Sequence, residues 1–185
     1  MIMNRLGIIL EEKEVPFLHS RAYKVATTSS GEVRLVTGVP GSDPEVLGKL
    51  VVSLPGPFLL LYVLHTPRGE GLPGRYQSEE MEIQEVAAFL AEYREFLMSD
   101  CRYDLWVRCI GSQSTLVWDR HDFIYGYGEI GSYVEALNRL GFSEGEVETV
   151  GTHVHHYRAE NDLAAGVLLK SQNWVRTDLR PSDEQ

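Results

Sequence analysis

A chain of 185 residues with 43% hydrophobic and 24% charged side chains has the length and composition of one soluble globular domain with a sizeable core. Its formal net charge of -10 argues against a general nucleic-acid binder, because phosphate recognition is built on a surplus of Lys and Arg. The same deficit argues against an anionic membrane surface, and suits either a basic partner or plain solubility.

In chain order, Leu6 to Leu10 is apolar but too short for a signal-peptide core. It runs into Glu11-Glu12-Lys13-Glu14 without a small-residue cleavage site. Arg21 to Thr27 and Glu32 to Thr37 alternate in the manner of strands, and Thr28-Ser29-Ser30-Gly31 between them signals a hairpin. Asp43-Pro44 reads as an N-cap with proline at the first helical position, opening a short helix through Val52. Pro55-Gly56-Pro57 ends it, and Phe58 to His65 reads as a buried strand. Pro57 to Leu64, the longest apolar run, is far short of a bilayer span. The Gly- and Pro-rich segment from Pro67 to Gly74 is expected to be a mobile loop and a hinge within the domain.

Ser78 is expected to open the strongest helix, with Ile83, Val86, Ala87, Leu90, Tyr93 and Leu97 on one face. Glu79, Glu80, Glu82 and Glu85 crowd its first turns, where the helix dipole favours negative charge, and read as a solvated helix start. Three β-rich runs follow: Tyr103 to Ile110, Ser114 to Trp118 and Phe123 to Tyr127. The last two, joined by Asp119-Arg120-His121-Asp122, should pair antiparallel. A second helix covers Ile130 to Leu140, with Gly141 as its left-handed cap. Val147 to Val150 and Thr152 to Tyr157 read as short strands, and Ala159 to Lys170 as a last helix. The expected architecture is a single α+β domain over residues 1–180, helices packed on a largely antiparallel sheet, with a disordered tail at 181–185.

The two cysteines, Cys101 and Cys109, flank one extended segment and lie beyond disulfide reach of each other. They read as reduced thiols of a cytoplasmic protein, with Cys109 a small core residue.

Gly126-Tyr127-Gly128-Glu129-Ile130-Gly131 matches G-x-G-x-x-G between a strand and a helix, with Glu146 and Glu148 near the position of a ribose-binding acid. A nucleotide site at this turn needs a parallel central strand, and the preceding strand reads instead as the second arm of a hairpin. A plain strand-to-helix turn using glycine for its backbone freedom is the simpler expectation.

Half of the six histidines fall within Thr152-His153-Val154-His155-His156-Tyr157. On a strand His153 and His155 project to one face and His156 to the other. A His-x-His pair supplies two ligands for a divalent transition metal such as zinc, with the third arriving from elsewhere. His121 is the expected third ligand, with Asp119, Asp122, Glu160, Asp162 and His65 as further candidates. His153-x-His155-x4-Glu160 shares the spacing of the first metal motif of cupins, yet no histidine follows His156 to furnish the second, and no family is assigned. Tyr157, Glu160 and Trp118 are candidates to line a pocket beside the cluster, although aromatic residues such as Trp118, Tyr125, Tyr127 and Tyr133 more often serve packing.

No G-x-S-x-G elbow, H-E-x-x-H helix or P-loop is present. The first functional expectation is therefore a non-catalytic binding or protein-interaction domain, including the immunity-protein type that masks a basic toxin. The alternative is a metal-dependent enzyme, a hydrolase by expectation, built on His153, His155 and one of His121, Glu160 or Asp162; nucleotide binding at Gly126–Gly131 is a weaker third.

Overall fold

The structure, a computed structural model, describes residues 4–183. Two hairpin strands, β1 (Leu6–Leu10) and β2 (Lys13–Pro16), come first, followed by β3 (Ala22–Thr27), β4 (Val33–Gly38), α1 (Glu45–Val52), β5 (Phe58–Leu64) and β6 (Gly74–Gln77). Next come α2 (Ile83–Glu92), α3 (Arg94–Ser99), β7 (Tyr103–Cys109), β8 (Thr115–Trp118), β9 (Phe123–Tyr127) and α4 (Ile130–Arg139). The chain ends with β10 (Ser143–Glu144), β11 (His153–His155), α5 (Asp162–Leu168) and β12 (Val175–Thr177).

Nine strands form one sheet in the order β10-β3-β4-β9-β8-β7-β5-β6-β12, and β11-β1-β2 form a second, three-stranded sheet. Every pairing is antiparallel except the two-residue contact of β10 with β3. The architecture is the expected α+β domain.

Strand period sets the layers. Across β5, β7 and β8 the pairs Leu60↔Val107, Tyr62↔Leu105, Leu105↔Trp118 and Val107↔Leu116 place one buried row on a single face. Leu47, Leu50, Val86, Phe89, Leu90, Leu97, Tyr133 and Leu137 cover that row from the helices and complete the main core. Each fully buried Leu or Phe there contributes about 1.5–3 kcal/mol relative to exposure. On the opposite face Val36 and Phe123 pack with Val147 in a smaller cluster.

Four segments depart from the sequence expectation, each for a tertiary reason. Residues 78–81 run beside β5 instead of starting a helix: Ser78 Oγ accepts the Leu60 N–H at 2.9 Å, and Met81 exchanges backbone hydrogen bonds with Phe58. The helix begins at Ile83, after the Glu85 carboxylate takes the Glu82 N–H at 2.7 Å. Residues 147–150 form no strand, and Val147 fills the outer cluster from a loop. The segment expected to be a hinge is pinned, because the Glu70 side chain is 1% exposed and paired with Arg102 at 3.0 Å. The tail expected to fray from Pro181 forms a helical turn over Pro181–Asp183, with Asp183 buried against Arg75. Residues 184–185 lie outside the described residues.

The G-x-G-x-x-G glycines serve packing. β9 lies between β4 and β8, antiparallel to both, so the parallel strand of a dinucleotide turn is missing. A Cβ on Gly126 would stand 2.9 Å from the Tyr133 ring, and Gly128 has φ +94°.

Both cysteines are buried and free. Alkylation of the native protein is expected to be slow at both, and denaturation without reductant should expose two reactive thiols per chain. A linked or unreactive pair in mass spectrometry would contradict the register of β7.

Candidate metal centre

The site starts from the four-residue turn between β8 and β9. Asp119 Oδ1 accepts the N–H groups of His121 (3.0 Å) and Phe123 (2.9 Å), the carboxylate turn that Asp favours. Arg120 N–H donates to Asp104 Oδ1 at 2.9 Å, and His19 Nε2–H donates to the His121 carbonyl at 3.0 Å. Asp122, at φ +61°, is buried; its carboxylate takes Trp118 Nε1–H (3.1 Å) and Ser42 Oγ–H (2.5 Å) and faces Arg5 Nε at 3.5 Å. All four turn residues are tied to the body of the fold, which fixes where His121 points.

The other two imidazoles come from the small sheet. β1 and β2 are joined by Glu11 and Glu12, both at positive φ (49° and 65°), the tight turn whose twist suits a hairpin. β11 adds to the far side of β1 with His155 opposite Leu6 and His153 opposite Ile8. Residues opposite one another share a face, and Leu6 is 1% exposed, so both histidines look inward. His156 turns the other way and pairs with Glu14 at 2.7 Å.

The result is a three-imidazole cluster. Ring centroids are 5.0 Å apart for His121 and His153, 4.9 Å for His121 and His155, and 4.8 Å for His153 and His155. One ligand atom from each lies within 4.8 Å of the others, and all three side chains are half-buried. Zinc holds imidazole nitrogens at about 2.0–2.1 Å, so nitrogens up to 4.8 Å apart would have to draw together around an ion. The outer contacts suit that role. Nδ1–H of His121 faces Asp119 Oδ2 at 3.3 Å, Nδ1–H of His153 donates to the Gly151 carbonyl at 2.8 Å, and Nδ1 of His155 meets the Tyr157 hydroxyl at 3.3 Å. Among the described residues no hydrogen bond is made by Nε2 of any of the three rings, and His155 Nε2 is buried. Fixing one ring nitrogen so that the other can bind metal is how histidine ligands are commonly oriented.

Electrostatics points the same way. Burial first, then the neighbouring His121 and His153, then Arg120 and Arg5, lower the His155 pKa to about 3. His155 is therefore a neutral imidazole near pH 7, the form that ligates metal.

A pH dependence follows for the metal-free protein. The folded pKa lies below the ordinary value of 6.5, so between those limits the unfolded chain binds more protons and folding stability falls as the pH drops from 6.5 toward 3. Urea denaturation at pH 7 and pH 4.5 should show a larger loss for wild type than for His155→Gln, which removes the titrating group. Equal losses would place His155 in water.

Asp119 is the contact to test beside the three imidazoles. Asp119→Asn keeps an oxygen for the turn amides but turns an NH2 toward His121 Nδ1–H. Zinc affinity is expected to fall about 10–100-fold with the fold intact, measured by competition with a chromophoric chelator. Unchanged affinity would exclude Asp119 from orienting His121.

Of the residues proposed to line a pocket, the structure brings only Tyr157 to the cluster. Trp118 is fully buried under Arg5, with its guanidinium 4.8 Å from the ring. Glu160 sits on an exposed turn beside α2 and α3, and Asp162 is bound to Arg68 and Arg102. His65 forms a separate pair with Asp104 at 2.9 Å, its side chain 3% exposed. The sequence reading missed the part played by the first strand. The alternation of Leu6-Gly7-Ile8 against Glu14-Val15-Pro16 around two turn residues was its available signal.

No protein-family model, curated protein or solved structure matches this chain.

Proposed function

We propose that this chain is a binding module carrying one centre for a divalent transition metal, zinc by preference, on His121, His153 and His155. The convergence of three imidazoles from two sheets, each with Nδ1 already engaged by the protein, carries the reading. Imidazole ligands suit zinc, copper and nickel rather than magnesium or calcium, which prefer oxygen. Buried free thiols support a reducing compartment such as the cytoplasm, and a net charge of -10 supports a basic protein or small-ligand partner over nucleic acid.

Calorimetric titration of tag-free protein tests this: saturable uptake of one zinc per chain at micromolar concentration is expected, and no uptake would overturn it. One observation favours a second reading, a metal-dependent hydrolase: three protein ligands, rather than four, are the number used by catalytic zinc sites. A zinc ion there would supply Lewis acidity and a more acidic bound water. Zinc-dependent hydrolysis of an activated ester, lost in His121→Ala, would select this reading over the module.

A further inference from the structure

On a separate face, α5 lies beside the junction of α2 and α3, and between them runs a groove of about 540 Å³. Its floor is apolar. Leu163 and Val167, one helical turn apart on α5, are 80% and 48% exposed, with Ala164 and Ala91 beside them. Large apolar side chains left this open in register on one helix face are what an interface core is made from.

The rim is acidic. Glu92, Glu95 and Glu160 are exposed around this floor, and none of them is in an ion pair among the described residues. The one basic side chain in the groove, Arg94, is already held by Asp43 at 2.7 Å. Among the described residues the groove therefore presents an apolar strip with three uncompensated carboxylates and no free cation of its own. A nucleic acid would be repelled by these carboxylates, a purely cationic chain would leave Leu163 and Val167 unused, and an acidic or neutral helix would leave the carboxylates unanswered.

We propose that this groove docks a basic amphipathic helix of a partner protein, leucine-type residues on the α5 strip and Lys or Arg against Glu92, Glu95 and Glu160. The recognition mode is a helix laid in a hydrophobic groove, with rim charges setting partner choice and encounter rate. It rests on the reading of the chain as a binding module and gives that module its partner class.

The test uses the full chain and a capped lysine/leucine amphipathic peptide about five turns long, labelled for fluorescence anisotropy, with a glutamate/leucine peptide of the same pattern as control. Saturable binding of the lysine peptide alone is expected. Leu163→Ser with Val167→Ser should weaken it at least about tenfold. The triple reversal Glu92→Lys, Glu95→Lys, Glu160→Lys should do the same and should flatten its salt dependence. The equal reversal Glu32→Lys, Glu79→Lys, Glu80→Lys, away from the groove, should change it less than about twofold. All exchanged side chains are exposed, none of the exchanged glutamates is in an ion pair among the described residues, and circular dichroism checks the folding of each variant. Equal loss in the two charge reversals would mean general attraction to an acidic protein and overturn the proposal, as would equal binding of the glutamate peptide or indifference to the α5 variant. Zinc uptake is measured on the same variants, so docking and the metal centre can fail separately.

Discussion

His153→Ala combined with His155→Ala should lower zinc affinity at least about a hundredfold, below detection in a micromolar titration, while the protein stays folded. Two of the three nitrogens disappear, and the half-buried His121 is left as a single imidazole, too few donors to hold the ion. The fold should persist because β11 is held by its backbone ladder to β1, and by the His156 N–H to Arg5 carbonyl bond at 3.0 Å, none of which involves the imidazoles. His156→Ala is the internal control: its ring faces the other way and binds Glu14, so zinc uptake should be unchanged. A loss of affinity in His156→Ala as large as in the double variant would place the ion on the wrong face of β11. Wild-type protein that takes up no zinc would dispose of the centre altogether.

Arg102→Met should cost about 3–5 kcal/mol of folding stability, measured by urea denaturation at pH 7. The Arg102 and Asp100 side chains are fully buried and joined by two hydrogen bonds, Nε to Oδ1 at 2.8 Å and Nη2 to Oδ2 at 2.9 Å. The same guanidinium reaches Glu70 (3.0 Å), Asp162 (3.1 Å) and the Arg158 carbonyl (3.0 Å). Methionine fills similar space but strands at least two buried carboxylates, and leaving a buried charge alone costs more than the pair contributes. Arg102→Lys should recover only part, since an ammonium cannot reproduce the two-pronged contact. Adding Glu70→Gln to Arg102→Met should recover part of the loss, since its oxygen can keep the Arg68 N–H while the NH2 replaces the oxygen that faced Arg102. A loss under about 1 kcal/mol in Arg102→Met would show that water reaches these groups.

Much of the sheet was legible because strand period and turn chemistry are local. Phe58 to His65, the three runs from Tyr103 to Tyr127, and the helix closed by Gly141 at φ +79° lie within a residue or two of their expected places. The misplaced boundaries belong to segments decided by distant partners. Nothing near Ser78 announces that Leu60 and Phe58 will claim residues 78–81 as an edge. Nothing around Glu70 announces Arg102, 32 positions away. The histidine cluster was half legible: alternation puts His153 and His155 on one side, and a turn rich in Asp and His stands out at 119–122. Which side faces inward depends on pairing with β1, a contact across more than 140 positions that no local pattern contains. Glu160 and Trp118 lie away from the histidine cluster for the same reason, since nearness in sequence to a cluster or to a turn does not set the direction of a side chain.

The nine-stranded sheet ends on strands of two and three residues, β10 and β12, and the smaller sheet on β11, of three, and β2, which carries Lys13 and Pro16. An open strand edge is a template on which other chains can assemble, and short, charged or proline-bearing borders deny it length. The longest and most apolar strands, β5 and β7, sit in the interior with both ladders filled. A sheet this wide is thereby protected against fibre-like self-association by the brevity of its margins, and the chain can crowd in solution without its most adhesive sequences meeting.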